Sequence, residues 1–118
     1  MTAADTARKA AEIMSERGHC KGIEEDGEGR VCFVGAVNLA QLGVAMRPSD
    51  VTDYPDIEAI LRAAAGILVR RGEYLADNLV SMRWPMNLAI FWNNRRYVTG
   101  EDVIMLLKET AEELESAL

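Results

Sequence analysis

The chain has 118 residues, 49% of them hydrophobic, and a formal net charge of -6. That length suits one domain, which hides roughly two-thirds of its extended surface on folding, and apolar residues run through the whole sequence, so no long stretch reads as disordered. The acid excess opposes the phosphate contacts a general nucleic-acid binder needs, no apolar run approaches the roughly 18 residues of a membrane span, and Met1 to Arg17 alternates Ala with charge where a signal peptide would be apolar.

From Thr2 to Arg17, Ala3, Ala7, Ala10, Ala11 and Met14 recur at helical spacing with Ile13 at their border, and Gly18 offers a left-handed stop. His19 to Arg30 holds Gly22, Gly27 and Gly29 around Glu24, Glu25, Asp26 and Glu28, the chemistry of a short exposed hairpin or loop. Val31 to Leu42 begins with β-branched and aromatic residues, then sets Val34, Val37, Leu39 and Ala40 at positions that suit a helix closed by Gly43, leaving the strand-to-helix boundary open.

Beyond a loop at Pro48, Asp53 is placed to cap a helix with Pro55 in its first turn and Ile57, Ile60, Leu61, Ala64 and Leu68 as its apolar stripe, closed by Gly72. Glu73 to Met82 reads as a further short helix, with Leu75, Leu79 and Met82 inward, broken at Trp84-Pro85. Pro85 suits a new helix start, and the MNLAIFW segment belongs in the core, with Asn93-Asn94 tolerating left-handed angles at its exit. Thr99 stands three residues before Asp102 in a capping arrangement, and Val103, Leu106, Leu107, Thr110, Ala111 and Leu114 face inward from the last helix while Glu109, Glu112, Glu113 and Glu115 line its solvated side. The expected architecture is mainly α: residues 1–118 as one compact bundle of about five helices with a hairpin or loop after the first.

Few residues carry soft chemistry. His19, Cys20 and Cys32 are one ligand short of a structural zinc site, which Asp26 would have to complete, so the reading is two free thiols of a reducing cytosol, with neither metal nor cofactor. A cysteine hydrolase would need Cys32 at a helix start, His19 folded back as its base and Asn93 or Asn94 as orienter. The acidic loop beside them works against a low thiol pKa. No pair of carboxylates sits in contrasting surroundings suited to acid and base roles, and the glycines of GIEEDGEGR lack phosphate-loop spacing.

Arg70, Arg71, Arg83, Arg95 and Arg96 lie near Tyr74, Trp84, Trp92 and Tyr97 in sequence, and Arg, Trp and Tyr are the types enriched at binding hot spots. Exposed together, Trp84, Tyr97 and the arginines would clasp an acidic protein, or a nucleic-acid strand; otherwise the tryptophans fill the core and the arginines solubilise its edge.

Three motifs span most of the chain: Gly18-His19-Cys20-Lys21-Gly22; Cys32-Phe33-Val34-Gly35-Ala36; and Trp92-Asn93-Asn94, followed by Thr99-Gly100-Glu101-Asp102-Val103. In these the sequence resembles an uncharacterised family of small proteins from actinobacteria and their phages, with a G-x-C-x-G turn, a Cys and Gly-Ala element and a Trp-Asn-Asp motif. His19 stands where that family tends to have Trp, and Asn94 replaces its Asp. The resemblance implies a shared helical fold and a phage or prophage source, which agrees with ten Arg among thirteen cationic residues; it implies no mechanism. Gly18, Cys20, Gly22, Cys32, Gly35, Ala36, Trp92 and Asn93 have an adequate structural role as turn, close-packing and helix-end residues.

The functional expectation is a non-enzymatic cytoplasmic accessory protein (in the host cytoplasm if phage-encoded). Its surface of Arg70, Arg71, Arg83, Trp84, Arg95, Arg96 and Tyr97 meets another protein, from host or phage, or a second copy of itself. A Cys32-dependent hydrolase and a small nucleic-acid-binding regulator using the Arg70 to Arg96 cluster are the alternatives.

Overall fold

A computed structural model describes residues 1–45, 54–73 and 87–117. The expectations for the Pro48 loop, the Asp53 cap, Glu73 to Met82 beyond Glu73 itself, and the Trp84-Pro85 break lie outside the described residues.

Helix α1 spans Ala3–Arg17 and starts in a reciprocal cap: Asp5 N donates to Thr2 Oγ1 at 3.1 Å, and Thr2 N donates to the Asp5 carboxylate at 3.0 Å. It buries Ala4, Ala7, Ala10, Ala11 and Met14, a stripe of mostly small side chains that lets neighbouring helices approach its backbone. Gly18 stops the helix with the positive φ expected of it (φ 93), but its ψ of 174 is extended and departs from the compact left-handed turn. The chain leaves the helix extended, and this directs residues 18–20 alongside residues 30–32.

Those two segments pair in parallel, Val31 N donating to Gly18 O and Cys20 N to Val31 O, both at 3.0 Å, while Cys32 N donates to Glu24 O and Asp26 N to Arg30 O. Val31 is thus the middle rung of three short extended pieces joined by isolated bridges: the expected hairpin or loop is present as the antiparallel Glu25 to Val31 turn, and the parallel pairing with residues 18–20 is added to it. The turn closing the loop is held by Asp26, whose carboxylate accepts from Glu28 N, Arg30 N and Arg30 Nε.

The extended run ends at Cys32, the N-cap of α2 (Phe33–Leu42), which closes at Gly43 in the left-handed conformation. Helix α3 (Pro55–Arg70) has Pro at its start and buries Ile57, Ile60, Leu61, Ala64, Ala65, Ile67 and Leu68; Gly72 (φ 78) then lets Glu73 N reach back to Leu68 O. The short α4 (Leu88–Asn93) buries Leu88, Ala89 and Trp92 but leaves Phe91 51% exposed, so the apolar segment is not core throughout. Asn94 has φ -86 in place of the left-handed exit expected.

Helix α5 (Gly100–Ser116) opens with a second reciprocal cap between Thr99 and Asp102 and buries Val103, Leu106, Leu107, Thr110 and Ala111. It packs along α1 and against α3, and α1 also meets α2, so the described helices share one core built on Phe33, Met14, Ile57, Ile60, Leu68, Leu106 and Leu107. Leu114 is half-buried against its edge. The architecture is mainly helical, as expected. None of the described helices is long and apolar enough to cross a membrane.

Candidate functional site

The three motifs converge on one polar junction whose centre is Asn93, 1% exposed at the end of α4. Its Oδ1 accepts from Phe33 N at 3.0 Å and faces His19 Nε2 at 2.9 Å, while its Nδ2 donates to Cys20 O and to Asn94 Oδ1, both at 3.2 Å. The Phe33 N–H fixes which amide atom is oxygen. His19 must therefore donate from Nε2, which leaves Nδ1 as the unprotonated nitrogen of the neutral ring. One amide joins the exit of α1, the start of α2 and the end of α4.

Asn94 extends the junction, its Oδ1 accepting from Gly22 N at 2.8 Å, and Lys21 Nζ donates to the carbonyls of Arg95 and Arg96. Two glycines are required by close approach. A Cβ on Gly35 would lie 2.0 Å from Glu24 O, and one on Gly100 would lie 2.7 Å from His19 Cβ. The Gly-Ala element, with Ala36 fully buried, is therefore the place where the acidic loop rests on α2.

The thiols and the imidazole leave the paired segments on opposite faces. His19 stands opposite Val31, so alternation of side chains along extended chain turns Cys20 and Cys32 to the other side. Both sulfurs are engaged: Cys20 Sγ donates to Ile23 O at 3.3 Å and Arg30 O at 3.2 Å, and Cys32 Sγ accepts from Gly35 N at 3.4 Å. Burial pushes the Cys20 thiol up to about 11 and also raises Cys32, although Cys32 caps a helix. Burial lowers His19, against the pull of its bond to Asn93. Among the described residues, no three of His, Cys, Asp and Glu are gathered to hold a metal ion.

The arginine and aromatic residues occupy a second place, around the C-terminal end of α3. Arg70 pairs with Glu113 at 2.5 Å and Arg71 with Glu109 at 2.7 Å. Arg95 Nη1 donates to Tyr97 Oη at 2.7 Å and lies 3.4 Å from Glu73, while Tyr97 Oη donates to Glu73 at 2.8 Å and its ring stays 59% exposed. Met105, also 59% exposed, lies one helical turn from both Asp102 and Glu109 and so shares their face of α5. Arg96 is exposed and makes no ion pair among the described residues. Arg83 and Trp84 lie outside the described residues. Trp92 is 3% exposed and packs in the core, its indole nitrogen without a hydrogen-bond partner among the described residues.

Sequence reasoning separated these groups by type and missed two things. The carboxylate paired with each arginine comes from a distant segment, and Met105 was not singled out because an exposed residue at helical spacing carries no signal of its own.

Against known proteins, the sequence model described as "Family of unknown function (DUF6197)" matches residues 1–113. No curated protein and no solved structure matches the chain.

Proposed function

The chain belongs to that family of unknown function, and from this premise we propose that it is a non-enzymatic accessory protein whose Arg and aromatic corner binds an acidic surface of another protein. The observation that carries the reading is Tyr97: a large ring left in solvent while its hydroxyl is clamped between Arg95 and Glu73. A held, exposed tyrosine has already lost the side-chain freedom that binding would otherwise cost, which is how aromatic anchors work at interfaces. Arg96, exposed and without an ion pair among the described residues, adds a cation next to Tyr97 in sequence.

The ion pairs of Arg70, Arg71 and Arg95 break up the continuous basic stripe that a phosphate backbone needs, which disfavours a nucleic-acid regulator and leaves the aromatic contact at Tyr97 to carry most of the recognition of a protein. The buried, raised thiols favour it over a cysteine hydrolase, whose nucleophile must be available as thiolate. The same reading makes the chain a cytoplasmic factor of an actinobacterium or its phage, with a host or phage protein as partner.

The test is a photo-cross-linking residue at position 97 in cells that encode the chain, with position 16 on α1 as the comparison. The proposal expects a discrete adduct from position 97, absent from position 16 and weakened at least about fivefold by Arg96→Glu, since reversing a charge at an interface removes complementarity. Equal adducts from both positions, or none from position 97, would contradict it.

A further inference from the structure

We propose that Cys20 and Cys32 form an intramolecular disulfide when the protein meets a peroxide, tying the acidic loop between them to the start of α2. The inference rests on register. Val31 N bonds to Gly18 O and Cys20 N to Val31 O, the pattern that sets His19 opposite Val31 in parallel pairing. One residue further on, Cys20 lies opposite Cys32, and their side chains leave on the same face. Paired segments run about 4.8 Å apart, within the α-carbon separation of about 4.4–6.8 Å that a disulfide spans.

A second observation agrees with the register. Both thiols sit in one small apolar cluster with Val34, packed by Ile90 and separate from the main core, and Cys32 is close enough to oppose ionisation of Cys20. The chemistry balances with the peroxide as sole oxidant. The Cys20 thiolate, the more exposed of the two at 9% against 5%, attacks one peroxide oxygen; the O–O bond breaks, giving a sulfenic acid and, with one proton, water. The Cys32 sulfur then attacks the Cys20 sulfur, the S–O bond breaks, and the hydroxyl leaves with the Cys32 proton as a second water. Two thiols lose two electrons and one peroxide becomes two waters.

Burial sets the speed of this step. Because the Cys20 thiol titrates at about 11, thiolate is scarce at neutral pH, and the pair responds to sustained oxidant and ignores a brief pulse. Closure replaces the Cys20 bonds to Ile23 O and Arg30 O and the Cys32 cap on Gly35 N with a covalent link across the loop, which restricts the unfolded chain.

The test uses the folded wild-type protein with hydrogen peroxide at pH 7, 8 and 9, followed by intact mass and peptide mapping. The expected result is a loss of about 2 Da, a linked peptide pair containing Cys20 and Cys32, reversal by dithiothreitol, and a rate rising about tenfold per pH unit as thiolate grows. In Cys32→Ser the reaction stops at a Cys20 sulfenic acid trapped by dimedone. Two free thiols after sustained exposure at pH 9, long enough to oxidise the same protein's cysteines once it is unfolded in urea and about a hundredfold longer to allow for the scarce thiolate of the folded state, would overturn the proposal, as would a stable sulfinic acid at either cysteine or a disulfide joining two chains.

Discussion

Gly35 carries only a hydrogen where the Glu24 carbonyl oxygen comes closest to α2, and a Cβ there would stand 2.0 Å from it. Gly35→Ala therefore displaces the 23–25 backbone or unwinds the first turn of α2, at about 3 kcal/mol or more, read as a lower urea midpoint with loss of the Cys32 N to Glu24 O protection in hydrogen exchange. His19 makes a pH prediction. Burial holds its folded pKa below 6.5, so the unfolded chain binds a proton more readily; stability is full above about pH 7.5 and falls as pH drops through 6.5 and below, by at most about 1.4 kcal/mol per pH unit. Asp5 and Asp102, held low first by bonds with the Thr2 and Thr99 backbones, act below pH 3.8 and leave this window clear. Urea unfolding at pH 7.5 and 5.5 checks it: the drop should vanish in His19→Gln, which keeps a donor for Asn93. At this scale the motif residues were legible as a group, but the sequence offered no sign that one amide would serve three segments. The junction is made by residues some 60 to 74 positions apart, such as Asn93 with Phe33 and with His19, and no local pattern encodes such pairing.

Helices α1 and α5 were readable because their apolar residues keep helical spacing, reinforced in α5 by the Thr99 and Asp102 start signal; the reciprocal cap at Thr2 of α1 went unread, and the residues expected inward are buried or packed at the core edge. Thr99→Ala should cost about 1 kcal/mol, and Thr99→Ser far less, since serine keeps the oxygen that accepts from Asp102 N; thermal unfolding of the two variants side by side measures the difference. Residues 19–32 were not readable to the same depth. Their glycines and acids announce turns, yet the bridges that organise them depend on Gly18 leaving α1 extended and on Val31 lying between two other segments. Helix α4 illustrates a different limit. Its composition pointed inward all round, but a helix so short presents its sides unequally, and Phe91 is left in solvent.

For the whole molecule, the helical class followed from the 3.6-residue periodicity, and the acid excess has a structural use that composition did not reveal. Glu115, Glu113 and Glu109 of α5 meet Arg8 of α1 and Arg70 and Arg71 at the end of α3. Such exposed pairs contribute about 0–1 kcal/mol each, so the shared core governs stability and the pairs govern where positive charge is neutralised. Among the described residues, the Tyr97 side chain stays exposed beside those pairs, while the cysteines and histidine are turned to holding the chain together. That division of labour is tested most directly by iodoacetamide labelling of the folded protein at pH 7.5, followed by mass against free cysteine. The account predicts that both thiols react at least about tenfold more slowly than free cysteine, because burial and a raised pKa withhold thiolate; either cysteine labelled faster than free cysteine would contradict it.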